Sequence, residues 1–350
     1  LLGYDFLARP AQLVPEADRA NELAALARAA PPSEPQIATR LWLKALAESD
    51  DAKGVVADAA LRERVLKVLA DPVVARAQMD VLTNWPVEIT RAITTKHAGG
   101  QRGAVLAAYD KALQRLEADA TLSRADRMGA LLGRIELARM DTRDDAKSVK
   151  LPPALARDVR EHVARDDREI TDGYERQAVI TTGAYALSRA GLMSESDALL
   201  KANLAKSHSP YYLMSALASN AKARGDKTLA LRWYEEAYRT SQGPATRLQW
   251  GASYVNALIE LSPQDTARIE RAASDLIADA AKQPNAFYER SARSLQSAAR
   301  KLQAWNANGA HADSIKRLQT QLGAVCAALP AQDAQRNTCD ALLQAKPAAS

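Results

Sequence analysis

The sequence predicts an all-α fold, a right-handed superhelical array of helix hairpins, and three observations predict it. Hydrophobic residues make up 47% of the 350 positions, yet aromatics are only 5% and Phe occurs twice, so the apolar content is mostly Ala and Leu. Both are strong helix formers, and small Ala side chains let helix axes approach closely. Apolar residues recur at i, i+3, i+4 and i+7 in one segment after another, while the Val-Ile-Thr alternation of strands is almost absent. Glycine and proline markers also recur at one constant interval in the second half of the chain.

The elements follow in order. "LLGYDFLARP" reads as a short helix ended by Pro10, and "EADRANELAALARA" as a longer one stopped by "PPSEP" at 31–35. "QIATRLWLKALAES", "DAALRERVLKVLAD" and a segment through Val73–Leu82 to the Trp85-Pro86 break come next. After "HAGGQRG" lie "AVLAAYDKALQRLEADA" and "SRADRMGALLGRIELARM". The longest break, "DTRDDAKSVKLPP" at 141–153, combines charge, Ser and a double Pro. It predicts a boundary between an N-terminal helical subdomain, 1–145, and a helical-repeat subdomain, 154–345, with a frayed tail at 346–350. About fourteen or fifteen helices and no strand are expected.

The repeat is the most specific pattern. The interval from Gly191 to Gly225 equals that from Pro210 to Pro244. At the same offset Ala184 matches Ala218, Leu187 matches Ala221, Leu199 matches Trp233, Leu200 matches Tyr234 and Leu204 matches Tyr238. That offset, with helix–turn–helix character, is the tetratricopeptide spacing. The unit carrying Leu217, Ala218, Ala221, Gly225, Ala230, Tyr234 and Ala237 resembles that family, with Gly225 at the tight inter-helix turn. The preceding unit is weaker, with Ser196 and Asn203 where Ala is expected. A third echo, Gly100, Val105, Tyr109 and Ala112, has the downstream spacing, but Lys96 falls where Ala221 sits. Two ordinary hairpins of similar length are the alternative.

Charge and chemistry narrow the function classes. The net charge is +5 and the pI about 9.1, but Lys+Arg 47 and Asp+Glu 42 are interspersed and no run of four basic residues occurs. A footprint on phosphates needs clustering, so a mixed solvated surface and no nucleic-acid partner are expected. No apolar stretch reaches the ~20 residues of a membrane span. The chain begins at Leu1 without Met and shows no signal peptide, as expected if a leader was cleaved or a longer protein was cut. His97, His162, His208 and His311 are far apart, so each is expected at the surface or in a cap, with no metal site. "HAGGQRGAV" lacks a phosphate-loop pattern, and no nucleophile motif occurs. The carboxylates of "RDDREITDGYE" and "MDTRDD" do not fit a calcium loop and read as a solvated, arginine-paired face. Cys326 and Cys339 are either a disulfide closing a short helical hairpin around Pro330 or two unrelated buried thiols. No cofactor is implied.

Most Trp and Tyr residues stand at core spacing. The candidates for partner contact lie on the first helix of each repeat unit: Tyr185 and Arg189 in one, Tyr212, Ser215, Ser219 and Lys222 in the other. A groove of tyrosine and basic residues suits a peptide or protein segment.

A set of phrases carries a further resemblance: "YERQ" (174–177), "AKARGDKTLALRWYEEAY" (221–238), "GPATRLQWGASYVNALIEL" (243–261), "FYERSARSL" (287–295), the late cysteine pair and "IATRLWLKALAES". Together they resemble the helical C-terminal region of exported proteobacterial thioredoxin-family proteins. The resemblance implies a periplasmic or otherwise extracytoplasmic location and a thioredoxin-like domain preceding this segment in the same polypeptide. The chain has no C-x-x-C motif and no βαβ arrangement, so none of that family's redox residues carries over. The expectation is a non-catalytic scaffold that binds a protein or peptide segment. The alternatives are part of a thiol–disulfide oxidoreductase whose catalytic domain lies outside this chain, an α/α carbohydrate-active enzyme, against which the low aromatic content argues, or a dimerisation spacer.

Overall fold

Proline and aspartate set most of the helix starts. Proline, whose missing N–H costs nothing at the first turn, opens helices at Pro35, Pro72, Pro86, Pro153, Pro210 and Pro244. Side chains of Asp58, Ser123, Asp172, Asp226, Asp265 and Asp333 accept from backbone N–H groups of the first turn at six others. The computed structural model describes residues 15–49, 54–94, 101–142 and 151–344, and eighteen α-helices and no strand occur among the described residues. The helix expected in "LLGYDFLARP", His97, the Lys96 and Gly100 echo and the 346–350 tail lie outside them. The chain divides into two compact units, Leu1–Ser196 and Asp197–Ser350.

In the first unit, α1 (Glu16–Ala29) and α2 (Pro35–Ala47) form a hairpin closed by Leu23, Ala24 and Ala27 against Leu41 and Ala45. The Arg28 guanidinium lies over the Trp42 ring, 5.2 Å from its centroid. After α3 (Ala59–Ala70), the segment expected as one helix up to Trp85-Pro86 is instead α4 (Pro72–Ala77) and α5 (Met79–Asn84), with α6 (Pro86–Ile93) beyond. Pro72 and Pro86 force fresh starts, and Gln78 leaves helical geometry at φ −112° between α4 and α5. These short helices account for two of the helices beyond the expected number. Then α7 (Gln101–Ala118) and α8 (Arg124–Arg139) pair, with Tyr109 fully buried and its hydroxyl donating to the Leu82 carbonyl at 3.1 Å. Burying such a side chain stabilises by about 2–3 kcal/mol.

Helix α9 (Pro153–Glu169) and α10 (Gly173–Arg189) pack on α8, where Gly183 faces Val163 and Met128. Helices on both sides of 141–153 therefore share one core. The compact units divide at 196/197, inside α11 (Met193–Asn203).

The second unit begins with two hairpins, α12 (Pro210–Ala223) with α13 (Lys227–Thr240) and α14 (Pro244–Leu261) with α15 (Thr266–Ala281), and continues through α16 (Glu289–Trp305) and α17 (Ala312–Ala327). A final short helix, α18 (Ala334–Asp340), follows. Helices α14 and α16 pack together, as do α15 and α17. Cys326 of α17 and Cys339 of α18 are joined as a disulfide with Cα atoms 5.6 Å apart. It fixes α18 so that Leu342 and Leu343 reach the unit's core. Gly251 of α14 is a close-approach site: a Cβ there would lie 2.9 Å from both Leu276 Cδ1 and Tyr238 Cε2.

The two marker glycines share one turn geometry. Gly191 and Gly225 have φ of 80° and 82°, a region costly for residues with a Cβ. At each, the glycine N–H reaches the carbonyl three residues back, and the next N–H reaches five back (Leu192 to Leu187, Asp226 to Ala221). That is a Schellman C-cap. Ser196 stands where Ala was expected because its buried hydroxyl donates to the Ala184 carbonyl at 2.7 Å.

Candidate functional site

On α12, Leu213, Leu217, Ala218 and Ala221 face the core. Tyr212, Ser215, Ser219 and Lys222 fall on another face at i, i+3, i+7 and i+10, half-buried or exposed. At the Gly191-to-Gly225 offset from these, Thr246, Gln249, Ser253 and Asn256 lie along α14. Side chains tie these first helices into one surface. Tyr212 stands edge-on to the Trp250 ring with centroids 5.3 Å apart. Lys222 pairs with Glu260 of α14 at 2.7 Å. On the far side of α14, Arg290 of α16 donates to Gln249, and Asn256 Nδ2 donates to Ser297 Oγ at 3.1 Å. The result is a face of hydroxyl, amide and aromatic groups with cations toward its edges, and Asn256 Oδ1 is a buried acceptor with no hydrogen bond among the described residues. Such a lining offers donors and acceptors to an extended backbone without a demand for one side chain.

Tyr185 and Arg189 belong to the other unit, on α10. Tyr185 is 52% exposed, and Arg189 forms a bidentate pair with Glu136 of α8, both bonds 2.6 Å. The structure thus brings together the four α12 residues, and separately the two on α10. Tyr174 is 75% exposed on α10, and Tyr288 is exposed as well. Both stand at the starts of their helices, outside the buried turns.

His162 corrects the expectation of a surface or cap histidine. It is 3% exposed and sits on the apolar stripe of α9 with Leu155, Val159 and Val163. That stripe was the available sequence signal. Nδ1 lies 3.1 Å from Glu117 of α7, and Nε2 lies 3.4 Å from Asp166 of α9, so each ring nitrogen faces a carboxylate. Burial alone would lower its pKa, but Asp166 and Glu117 outweigh it and hold the pKa above the ordinary histidine value. Arg134 of α8, itself buried, donates to Asp110 at 2.8 Å, Glu117 at 2.7 Å and Asp158 at 3.1 Å. The face expected as solvated is thus only partly so. Arg124 pairs with Glu169 and Glu175, and Asp167 with Arg176, as on an arginine-paired surface. Asp166 is instead buried, because its place on α9 points it inward beside His162. His311 stands at the N-cap position of α17 without a side-chain cap hydrogen bond, its ring stacked on Trp305.

In the second unit a polar cleft of about 380 Å³ opens between α13, α14 and α15. Tyr238 donates to Asp279 at 2.7 Å, Arg247 Nε reaches the same oxygen at 2.6 Å, and Lys282 reaches the other at 3.2 Å. Beside them Arg268 joins the Tyr254 hydroxyl and Glu235, both at 2.7 Å. Burial and the Asp279 carboxylate push the Tyr238 hydroxyl far up, and burial raises Tyr254 to about 12, so both stay protonated. Burial would raise Asp279, but its three donors hold it below the usual range. Sequence reading missed this network because its members are dispersed over three helices.

Among the described residues no cluster of three or more His, Cys, Asp or Glu side chains is placed to hold a metal, and no helix is long and apolar enough to cross a membrane. Comparison of the chain with models of protein families, with curated proteins and with solved structures finds no match.

Proposed function

We propose that this chain is a non-catalytic helical-repeat scaffold of tetratricopeptide-like, right-handed superhelical type, and that the first helices of its second unit bind an extended protein or peptide segment. The observation that carries the reading is the doubled stripe, Tyr212, Ser215, Ser219 and Lys222 on α12 repeated at the same offset as Thr246, Gln249, Ser253 and Asn256 on α14. The shared turn at Gly191 and Gly225 supports the same period. Repeat arrays use such a surface in place of a single pocket.

The reading extends to an exported protein in which a thioredoxin-like domain of the same polypeptide accompanies the scaffold. A disulfide between Cys326 and Cys339 accords with an oxidising compartment. Both cysteines are buried, which favours a structural bridge over the alternative of a redox-active pair within an oxidoreductase.

The test is selection of a displayed peptide library on the full chain, followed by fluorescence anisotropy of enriched peptides. Ser219→Trp, at an exposed position of the face, is expected to weaken binding at least about tenfold. Peptides that bind this variant as well as the parent chain would reject this face.

A further inference from the structure

The cleft between α13, α14 and α15 has no part in the peptide-binding reading, and its unspent groups specify a ligand of their own. Its inner wall is the edges of Tyr238 and Tyr254, both buried, with ring centroids 6.4 Å apart. The Arg247 guanidinium lies over Tyr238, 4.9 Å from the ring centroid, which holds it at the wall. A rigid wall of this kind limits what binding must immobilise.

The charges then sort into spent and unspent. Asp279 takes three donors and offsets one of its two cations, Arg247 or Lys282. Glu235 is offset by Arg268. Arg239 and Asp275, both exposed and both lining the cleft, make no ion pair or side-chain hydrogen bond among the described residues. Two cationic groups and one carboxylate therefore remain for a ligand. Arg239 and the Arg247–Lys282 pair offer guanidinium and ammonium N–H groups, and Asp275 offers an acceptor. A simple dianion would leave Asp275 repelling it, and a monocarboxylate zwitterion would leave a cation unmatched. The volume equals that of about a dozen waters at ~30 Å³ each. It sits at the small end of the ~300–1,000 Å³ range of ligand pockets. That suits a dipeptide better than a single amino acid, and far better than a folded partner.

We propose that this cleft binds an acidic dipeptide with free termini, its ammonium at Asp275 and its two carboxylates at Arg239 and at the Arg247–Lys282 pair. Tyr238 and Tyr254 line the backbone of the ligand, the Tyr238 hydroxyl donating to Asp279 and the Tyr254 hydroxyl accepting from Arg268. The inference is independent of the first-helix surface.

The experiment is isothermal titration of the full chain at low salt with L-Ala-L-Glu, L-Ala-L-Gln and N-acetyl-L-Ala-L-Glu. Saturable one-to-one binding of Ala-Glu is expected, with each analogue at least about tenfold weaker for the loss of one charge-assisted contact. Arg239→Gln should abolish the preference for Glu over Gln, and Asp275→Asn the preference for the free amine. Both residues are exposed, and unchanged circular dichroism checks the fold. Ser219→Trp, exposed on α12, which contributes no residue to the cleft, should leave all three titrations unchanged. No saturation by Ala-Glu up to about 10 mM, equal binding of the three probes, or preferences that survive both cleft variants would each overturn the proposal.

Discussion

Replacing Arg134 tests the polar heart of the first unit. Its guanidinium is 6% exposed and donates to Asp110 and Glu117 of α7 and to Asp158 of α9, so one side chain of α8 ties three helices together. The three contacts differ in worth. Asp110 and Asp158 are 39% and 33% exposed, and pairs at that depth contribute only about 0.5 kcal/mol each. Glu117 is 14% exposed, and stripping the partner from a charge that deep costs about 3–5 kcal/mol. Glu117 keeps His162, which lowers its share toward the bottom of that range. Arg134→Met, of similar reach but uncharged, should therefore cost about 3–4 kcal/mol. Arg134→Lys keeps a charge but offers a point in place of a fork, and should recover about half of that loss. Hydrogen exchange on the whole chain reads the effect locally. Opening of α7, α8 and α9 should become at least about a hundredfold more frequent in Arg134→Met, with α12 to α17 unchanged. In a Glu117→Gln background the same substitution should cost only about 1 kcal/mol, because only the exposed pairs remain to be lost. A change below about tenfold in α8, or an equal cost in both backgrounds, would refute the assignment of the energy to the buried Glu117 contact.

The histidine beside this hub gives stability a pH dependence. Because the folded-state pKa of His162 is raised, its stabilisation is full below the ordinary value of about 6.5 and is lost as pH rises through the folded value. Urea midpoints of the first unit should fall across that window, and His162→Gln should flatten the slope. Breaking the Cys326–Cys339 bond, which spans 13 residues, should cost about 3 kcal/mol in the chain-entropy account. Denaturation with and without reductant should show the loss, and the Cys326→Ser Cys339→Ser double variant should be insensitive to reductant. Gly251→Ala should destabilise despite the better helix propensity of Ala, by about 0.5–2 kcal/mol net. The added methyl has no room against Tyr238 and Leu276, and a raised melting temperature would show that the α13–α15 packing yields more easily than its distances imply.

What the sequence determined by itself is local. The tight turn at Gly225 and the apolar stripes depend on residues a few positions apart, and those were legible. The α12 stripe from Tyr212 to Lys222 was legible for the same reason, since helical period alone assigns a side to each residue. Gln78 shows where local reading stopped, because no single residue type announces the break between α4 and α5. The tertiary structure decided what depends on distant partners. His162 turned inward because Glu117 and Asp166 compensate it, and α9 and α10 pack on α8 across the polar break. The cleft of Tyr238, Arg247 and Asp279 exists only once α13, α14 and α15 meet. A charge is worth one thing in water and another beside a buried partner, and only the packed chain sets which of the two applies.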